Sequence, residues 1–151
     1  MWSFQSFIEK DLWFISDLAS ETYRFVENNW ANNSLDIPLV EIGSMDWFDV
    51  PEETIDILQV DIRNCTDTTI DFDIYYKAAV RAQDSSNGKE EDVCITFSAN
   101  CCYGPLPNSP EYDDVYIQGI DVVPGAMIPY RRISDALNER AHNVIEGANS
   151  F

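Results

Sequence analysis

Apolar and polar side chains alternate most regularly between Ile70 and Arg81. Ile70, Phe72 and Ile74 occupy every second position, and Asp71, Asp73 and Tyr75 lie between them. A period of two places successive side chains on opposite faces of a strand. The pattern therefore predicts a half-buried β-strand that presents two carboxylates on its polar face.

A different period precedes this strand. Residues 3–31 carry apolar side chains at three- and four-residue steps, which predicts a helix with one apolar stripe: Phe4, Ile8, Leu12, Ile15, Ala19, Val26 and Trp30. Trp13 falls among the polar positions of this helix. Asp11 falls on the apolar side, and we therefore expect a break or a cap near Lys10-Asp11.

Further strands and a second helix follow from the remaining pattern. Residues 54–63 predict a strand whose phase slips near Leu58, which indicates a bulge. Asn87-Gly88 predicts a hairpin turn, with a return strand that turns Val93, Ile95, Phe97 and Ala99 inward. Residues 35–50 are ambiguous, and Pro105, Pro107 and Pro110 predict an irregular loop. Residues 112–123 predict a strand that ends at Pro124-Gly125, and residues 133–146 predict a helix.

This order of elements indicates one α+β domain over residues 1–151. We expect an antiparallel sheet of four to five strands with an N-terminal and a C-terminal helix packed on one face. The length suits a single core. The opposite sheet face then carries the outward, mostly polar residues.

Net charge is the unusual property of this chain. It holds 27 acidic and 9 basic residues, for a formal net charge of −18, whereas a small domain typically needs a magnitude of only about 2–8 for solubility. Residues 36–73 hold eleven of the acids and one base, Arg63. Such a chain is repelled by nucleic acid and by anionic membranes, and is attracted to basic surfaces.

The acids of the strand region and one tryptophan are the candidate partner-binding residues. They are Asp46, Asp49, Glu52, Glu53, Asp56, Asp61, Asp67, Asp71, Asp73 and Trp47. Any one of these acids is by itself an ordinary solvated side chain. Acids at alternate positions on several strands, however, form a charge array of the same order as that of DNA.

Motifs for catalysis or cofactor binding are absent from the sequence. It has one histidine, His142, and no glycine-rich phosphate loop, nucleophile elbow or His-Glu-x-x-His. Cys65, Cys94, Cys101 and Cys102 lack disulfide or zinc spacing, so we expect reduced thiols. Paired acids such as Asp113-Asp114 lack the spacing of a calcium loop. We therefore expect no enzyme, no cofactor and no dedicated metal site.

In size and charge the chain resembles inhibitors of host defence encoded by phages and plasmids, such as antirestriction and anti-CRISPR proteins. The resemblance covers no motif. It implies a DNA mimic that binds a basic DNA- or RNA-binding protein or nuclease complex, without binding nucleic acid or membrane itself. The alternatives are an immunity protein that neutralises a basic nuclease toxin, and a carboxylate-rich metal-binding or enzymatic module.

Location and assembly follow only as expectations. The N-terminal stretch has no basic region followed by an apolar run, so we expect no signal peptide. No apolar run approaches the roughly 18 residues of a membrane span. These features favour the cytoplasm, which would be the host cytoplasm for a phage-encoded protein. An exposed strand edge or Trp13 would allow a homodimer.

Overall fold

The strand with the clearest alternation runs from Ile70 to Asp84 and is the centre of the fold. In this computed structural model, which describes residues 2–124, 128 and 131–148, its inward side chains from Ile70 to Ala82 are all fully buried. Its outward side chains from Asp71 to Gln83 are, with the exception of Ala79, at least partly exposed. The two-residue period therefore separates a core face from a polar face, as predicted.

The described part of the chain forms three helices and five strands around this strand. In chain order they are α1 (Phe4–Glu9), α2 (Leu12–Ala31), β1 (Trp47–Asp49), β2 (Asp56–Cys65), β3 (Ile70–Asp84), β4 (Lys89–Leu106), β5 (Ser109–Val122) and α3 (Asp135–Ala148). A single 3₁₀ turn, Glu52–Thr54, lies between β1 and β2. The prediction of an α+β fold with an antiparallel sheet and terminal helices is confirmed. Strand β5 ends at Val122, shortly before the break predicted at Pro124-Gly125. Gly125 itself lies outside the described residues.

All strand pairs in the sheet are antiparallel. Strand β3 pairs along one edge with β2 and then β1, and along the other edge with β4, which in turn pairs with β5. The register sets Asp61 opposite Asp73, and Asp73 opposite Asn100. Residues that lie directly opposite each other share a face of the sheet, and these pairs therefore fix which side chains are neighbours.

The N-terminal helix is divided in two, at the point that the sequence indicated. The first segment ends at Glu9 with Lys10 as its C-cap, and Asp11 caps the second segment, because its carboxylate accepts a hydrogen bond from the Phe14 N–H at 3.1 Å. The break changes the direction of the apolar stripe. Leu12, predicted to be part of the stripe, is 79% exposed, and Trp30 is also exposed, so the prediction for these two residues is wrong.

The predicted bulge in β2 is confirmed, and the predicted proline loop is wrong. The register of β2 shifts between Ile57 and Gln59, which leaves Leu58 unpaired. Strands β4 and β5 continue through the proline-rich segment to a tight turn, with Leu106 opposite Ser109. A proline is tolerated at the end of a strand or on an edge strand. Pro105 lies near the end of β4, and Pro110 lies on edge strand β5.

One hydrophobic core lies between the helices and the inward face of the sheet. Phe72 meets Phe4 edge to face at 4.9 Å between ring centroids, and Tyr76 stacks on Phe97 at 5.6 Å. The buried Tyr76 hydroxyl is 2.7 Å from the Thr22 hydroxyl. This contact joins β3 to α2 and gives the one polar group of Tyr76 a partner, without which its burial would be costly.

A carboxylate anchors the irregular segment that leads into β1. Glu91 of β4 accepts hydrogen bonds from the consecutive N–H groups of Val40, Glu41 and Ile42, at 2.6–3.1 Å. These hydrogen bonds, that of Val40 foremost, lower the pKa of Glu91. The anchor holds Val40, Glu41 and Ile42 to β4, within the ambiguous stretch 35–50, of which residues 35–46 form no regular element.

Replacing Glu91 by glutamine should loosen this segment. We expect Glu91→Gln to speed amide hydrogen exchange at Val40, Glu41 and Ile42 at neutral pH, because the charged acceptor is lost. A group whose pKa is lowered in the folded state stabilises the protein above its ordinary pKa of 4.5, and the stabilisation is lost as the pH falls through the lowered value. The difference between wild type and variant should therefore shrink in acid. Glu90→Gln is the matched control, and unchanged exchange in Glu91→Gln would contradict the anchor.

Candidate partner-binding surface

The outward face of the sheet lies opposite the helices and carries an excess of acids. The strand registers place nine acidic residues on this face, and we call them the acidic sheet face: Asp49, Asp56, Asp61, Asp71, Asp73, Glu90, Asp92, Asp114 and Asp121. The basic residues assigned to the same face are Arg63, Lys77 and Arg81. Five of the nine acids are among the predicted site residues.

Asp61 and Asp73 form the centre of this surface. They are direct cross-strand neighbours on β2 and β3, and like charges in such pairs repel. Arg63 occupies the second bulge of β2, where the register shifts between Ile62 and Asn64. Its Nε lies 3.0 Å from Asp73 Oδ1. The bulge thus brings one cation to a cluster of carboxylates.

One cation does not fully offset the cost of this arrangement. Burial raises the pKa of Asp73, and the negative charge of Asp61 adds to that effect, while Arg63 acts against it. The Asp73 side chain is 18% exposed, and its Oδ1 accepts no hydrogen bond of good geometry. The folded protein therefore disfavours the ionised form of a group that is charged at neutral pH.

The other end of the acidic sheet face is better neutralised. Arg81 pairs with Asp92 through two hydrogen bonds of 2.9 and 3.1 Å, and Asp49 lies opposite Arg81 on β1. By contrast, within the described residues no ion pair with a basic side chain is formed by Asp61, Asp71, Asp114 or Asp121. The unneutralised charge is therefore concentrated over β2, the first half of β3 and β5.

Four predicted site residues lie away from this face. Asp46 precedes β1, and its carboxylate accepts hydrogen bonds from the Ser85 N–H at 3.0 Å and from the Ser85 hydroxyl, which lower its pKa. Glu52 and Glu53 are exposed in the 3₁₀ turn, and Asp67 is exposed in the turn between β2 and β3. Trp47 lies on the outward face opposite Gln83 and is 49% exposed.

Sequence reasoning missed the acids that β4 and β5 contribute, namely Glu90, Asp92, Asp114 and Asp121. Asp114 and Asp121 are an odd number of residues apart, so a simple two-residue period puts them on opposite faces. The register of β5 shifts between the partners of Asn100 and Cys101, and this irregularity brings both onto one face. The two-residue period of the return strand predicted for β4 places Val93 inward, and it therefore already indicated that Asp92 faces outward.

Arg131, which precedes α3, also affects a residue of the outward face. Burial raises the pKa of Tyr75, an outward residue of β3, and the positive charge of Arg131 acts against this rise. Arg131 is exposed. A basic side chain outside the sheet therefore acts on Tyr75 on the outward face.

Cys101, Cys102 and His142 are held in packing contacts within the protein. All four cysteines are free, and Cys101 and Cys102 lie on opposite faces of β4 and are both buried. Burial raises the pKa of both thiols, which keeps them protonated and poorly nucleophilic. His142 stacks on Trp2 at 4.6 Å between ring centroids and lies 3.3 Å from a Glu146 oxygen.

Metal clusters, membrane-spanning helices and similar proteins are further indicators of a function. Among residues 2–124, 128 and 131–148, no group of three or more histidine, cysteine, aspartate or glutamate side chains has the geometry to hold a metal ion. None of the helices in the described chain has the length and apolar character needed to cross a bilayer. No protein-family model matches the chain, and no curated protein or solved structure is significantly similar to it.

Asp73→Asn should stabilise the fold at neutral pH. Because its pKa is raised above 3.8, the contribution of Asp73 to stability decreases as the pH rises from there through the raised value. We expect a gain of about 0.2–1 kcal/mol at pH 7 in urea unfolding, the range for cross-strand charge pairs. The gain should vanish below pH 3.8. Asp67→Asn, in the exposed turn, is the control. A loss of stability in Asp73→Asn would show that the Arg63 ion pair outweighs the repulsion.

Proposed function

We propose that this protein is an acidic nucleic-acid mimic that binds the basic DNA-binding groove of a nuclease complex, as an inhibitor of the anti-CRISPR or antirestriction type. The observation that supports this proposal is the array of carboxylates on the outward sheet face, most of which form no ion pair with a basic side chain of the described residues. The inhibitor would act in the cytoplasm, which is the host cytoplasm for a phage-encoded protein.

The geometry of a sheet suits such mimicry. Outward positions on one strand repeat every 6.6–6.8 Å or so, and neighbouring strands lie about 4.8 Å apart. Phosphates of one DNA strand rise about 3.4 Å per nucleotide. Asp71 and Asp73 are successive outward positions on β3, and Asp61 extends the array to β2. Outward positions along one strand therefore repeat at about twice the axial rise per phosphate, so a groove whose lysines and arginines are spaced for phosphates would meet a carboxylate at about every second position.

Electrostatics also explains why the protein tolerates repulsion between Asp61 and Asp73. A basic partner that contacts both carboxylates removes a cost that the free protein carries. Release of the cations that surround the acidic face would further favour the complex, as release of cations from the phosphates favours DNA binding. Binding driven in this way is steered over long range, is fast at low salt and weakens as salt rises.

Competition with DNA tests the proposal directly. The immobilised protein is used to isolate its partner from the source cell or its host, and the purified complex is then challenged with duplex DNA. We expect DNA to displace the protein, and its affinity to fall steeply between about 50 and 200 mM salt. Affinity that is indifferent to both would contradict the proposal, and a secreted nuclease toxin as partner would instead identify an immunity protein.

Paired charge variants locate the contact surface. Asp71→Asn with Asp73→Asn should weaken partner binding about tenfold or more, because two contact charges are removed while side-chain volume is kept. Asp17→Asn with Glu139→Gln removes the same charge from exposed positions on α2 and α3, and should have a much smaller effect. Equal effects from the two double variants would show that only net charge matters.

A further inference from the structure

A groove with an apolar floor lies between the start of α2 and the start of β2. It has a volume of about 430 Å³. Its apolar lining consists of Leu12, Ile15, Ile55 and Ile57. Three of these side chains are half-buried and Leu12 is 79% exposed. The next residue of α2, Trp13, is 85% exposed.

Two adjacent large apolar side chains that are this exposed are unusual on a protein surface. Single exposed apolar residues need no explanation, whereas a cluster beside a groove is typical of an interaction site. Tryptophan and other large side chains that enter a partner's pocket supply much of the binding energy at interfaces. The break at Asp11 turns Leu12 outward, so the capping residue creates this feature.

Acidic side chains surround the apolar floor. Those that line the groove are Glu9, Glu52, Glu53 and Asp56, and within the described residues none of them forms an ion pair. A ligand that complements this lining has apolar side chains for the floor and cationic side chains for the rim. We infer that the groove binds a basic amphipathic segment of the partner, with lysine or arginine flanking apolar residues.

Charge argues against a second copy of this chain as the occupant. A symmetric dimer through the groove would place the four rim carboxylates of one copy against the same four of the other. Like charges brought together in this way cost several kcal/mol at an interface, and each chain carries a net charge of −18. The apolar floor alone would favour self-association, but its acidic rim opposes it.

The groove is continuous with the acidic sheet face. Asp56 belongs to both, since it lines the groove and lies opposite Lys77 on the outward face. This inference deepens the proposed function, because the same basic partner would contact the sheet face by charge and the groove by apolar packing. The two contacts differ physically, since apolar packing is not screened by salt.

Two synthetic peptides separate the two contacts. One is an amphipathic helix of lysine and leucine, and the other has the same lysines with serine in place of leucine. Both peptides carry the same charge, so attraction to the acidic surface contributes equally to each. We expect wild type to bind the leucine peptide roughly tenfold or more tightly than the serine peptide, as measured by isothermal titration calorimetry.

Variants then assign that preference to the groove. Leu12→Ala with Trp13→Ala removes exposed side chains, so the fold should be unaffected, and we expect the preference for the leucine peptide to disappear. Val40→Ala is the matched control, because Val40 is 86% exposed but lies outside the groove. Glu53→Gln should weaken both peptides alike and reduce the salt dependence of binding.

The outcomes distinguish this inference from the proposed function. Equal binding of the two peptides by wild type would contradict the inference that the groove binds an amphipathic segment. A preference for the leucine peptide that survives in the Leu12 and Trp13 variant would contradict it as well. A monomer–dimer equilibrium that this variant abolishes would also overturn it, since a second copy would then be the occupant. The preference for the leucine peptide can depend on Leu12 although DNA does not displace the protein from its isolated partner. In that case the inference about the groove is supported and the proposal of a nucleic-acid mimic is contradicted.

Discussion

The alternation of side chains along β3 is the constraint on which the rest of the structure depends. Strands β1, β2 and β4 all pair with β3, and its inward residues Phe72 and Tyr76 contact Phe4 and Thr22 of the helices. The same strand carries Asp71 and Asp73 on its other face. A one-residue slip would therefore expose the core and bury the carboxylates together.

Some carboxylates of the protein have a hydrogen-bond donor or a cation as partner, and others form no ion pair with a basic side chain of the described residues. The charged form of Glu91 is stabilised by three backbone N–H groups, and Asp92 is paired with Arg81. Over β2 and the first half of β3, by contrast, Arg63 pairs with Asp73. The neighbouring Asp61 and Asp71 form no ion pair within the described residues. Stability alone would favour fewer charges there, and this excess is what the proposed role in binding would account for.

Local patterns in the sequence predicted the features that depend on local physics. The cap at Asp11, the bulge at Leu58, the hairpin at Asn87-Gly88 and the alternation of β3 each follow from a few neighbouring residues, and all are present. The pairing of Asp61 with Asp73 could not be predicted, because it depends on the register between two strands.

Irregularities in strand pairing account for much of what the sequence did not reveal. The convergence of Asp114 and Asp121 on one face needs the register shift in β5, and the approach of Arg63 to Asp73 needs a second bulge in β2. The groove beside Leu12 depends on how α2 packs near the 3₁₀ turn. The prediction of a loop at Pro105 and Pro110 is wrong because proline is tolerated at the end of a strand and on an edge strand, although a central strand position excludes it.

Carboxyl footprinting can show whether the partner covers the acidic sheet face. A carbodiimide with glycine ethyl ester labels exposed carboxylates, and mass spectrometry compares the free protein with the complex. We expect protection of Asp56, Asp61, Asp71 and Asp121 in the complex, with unchanged labelling of Asp17 and Glu139 on the helices. Unchanged labelling of the four sheet residues in a saturated complex, with protection on the helices instead, would contradict it.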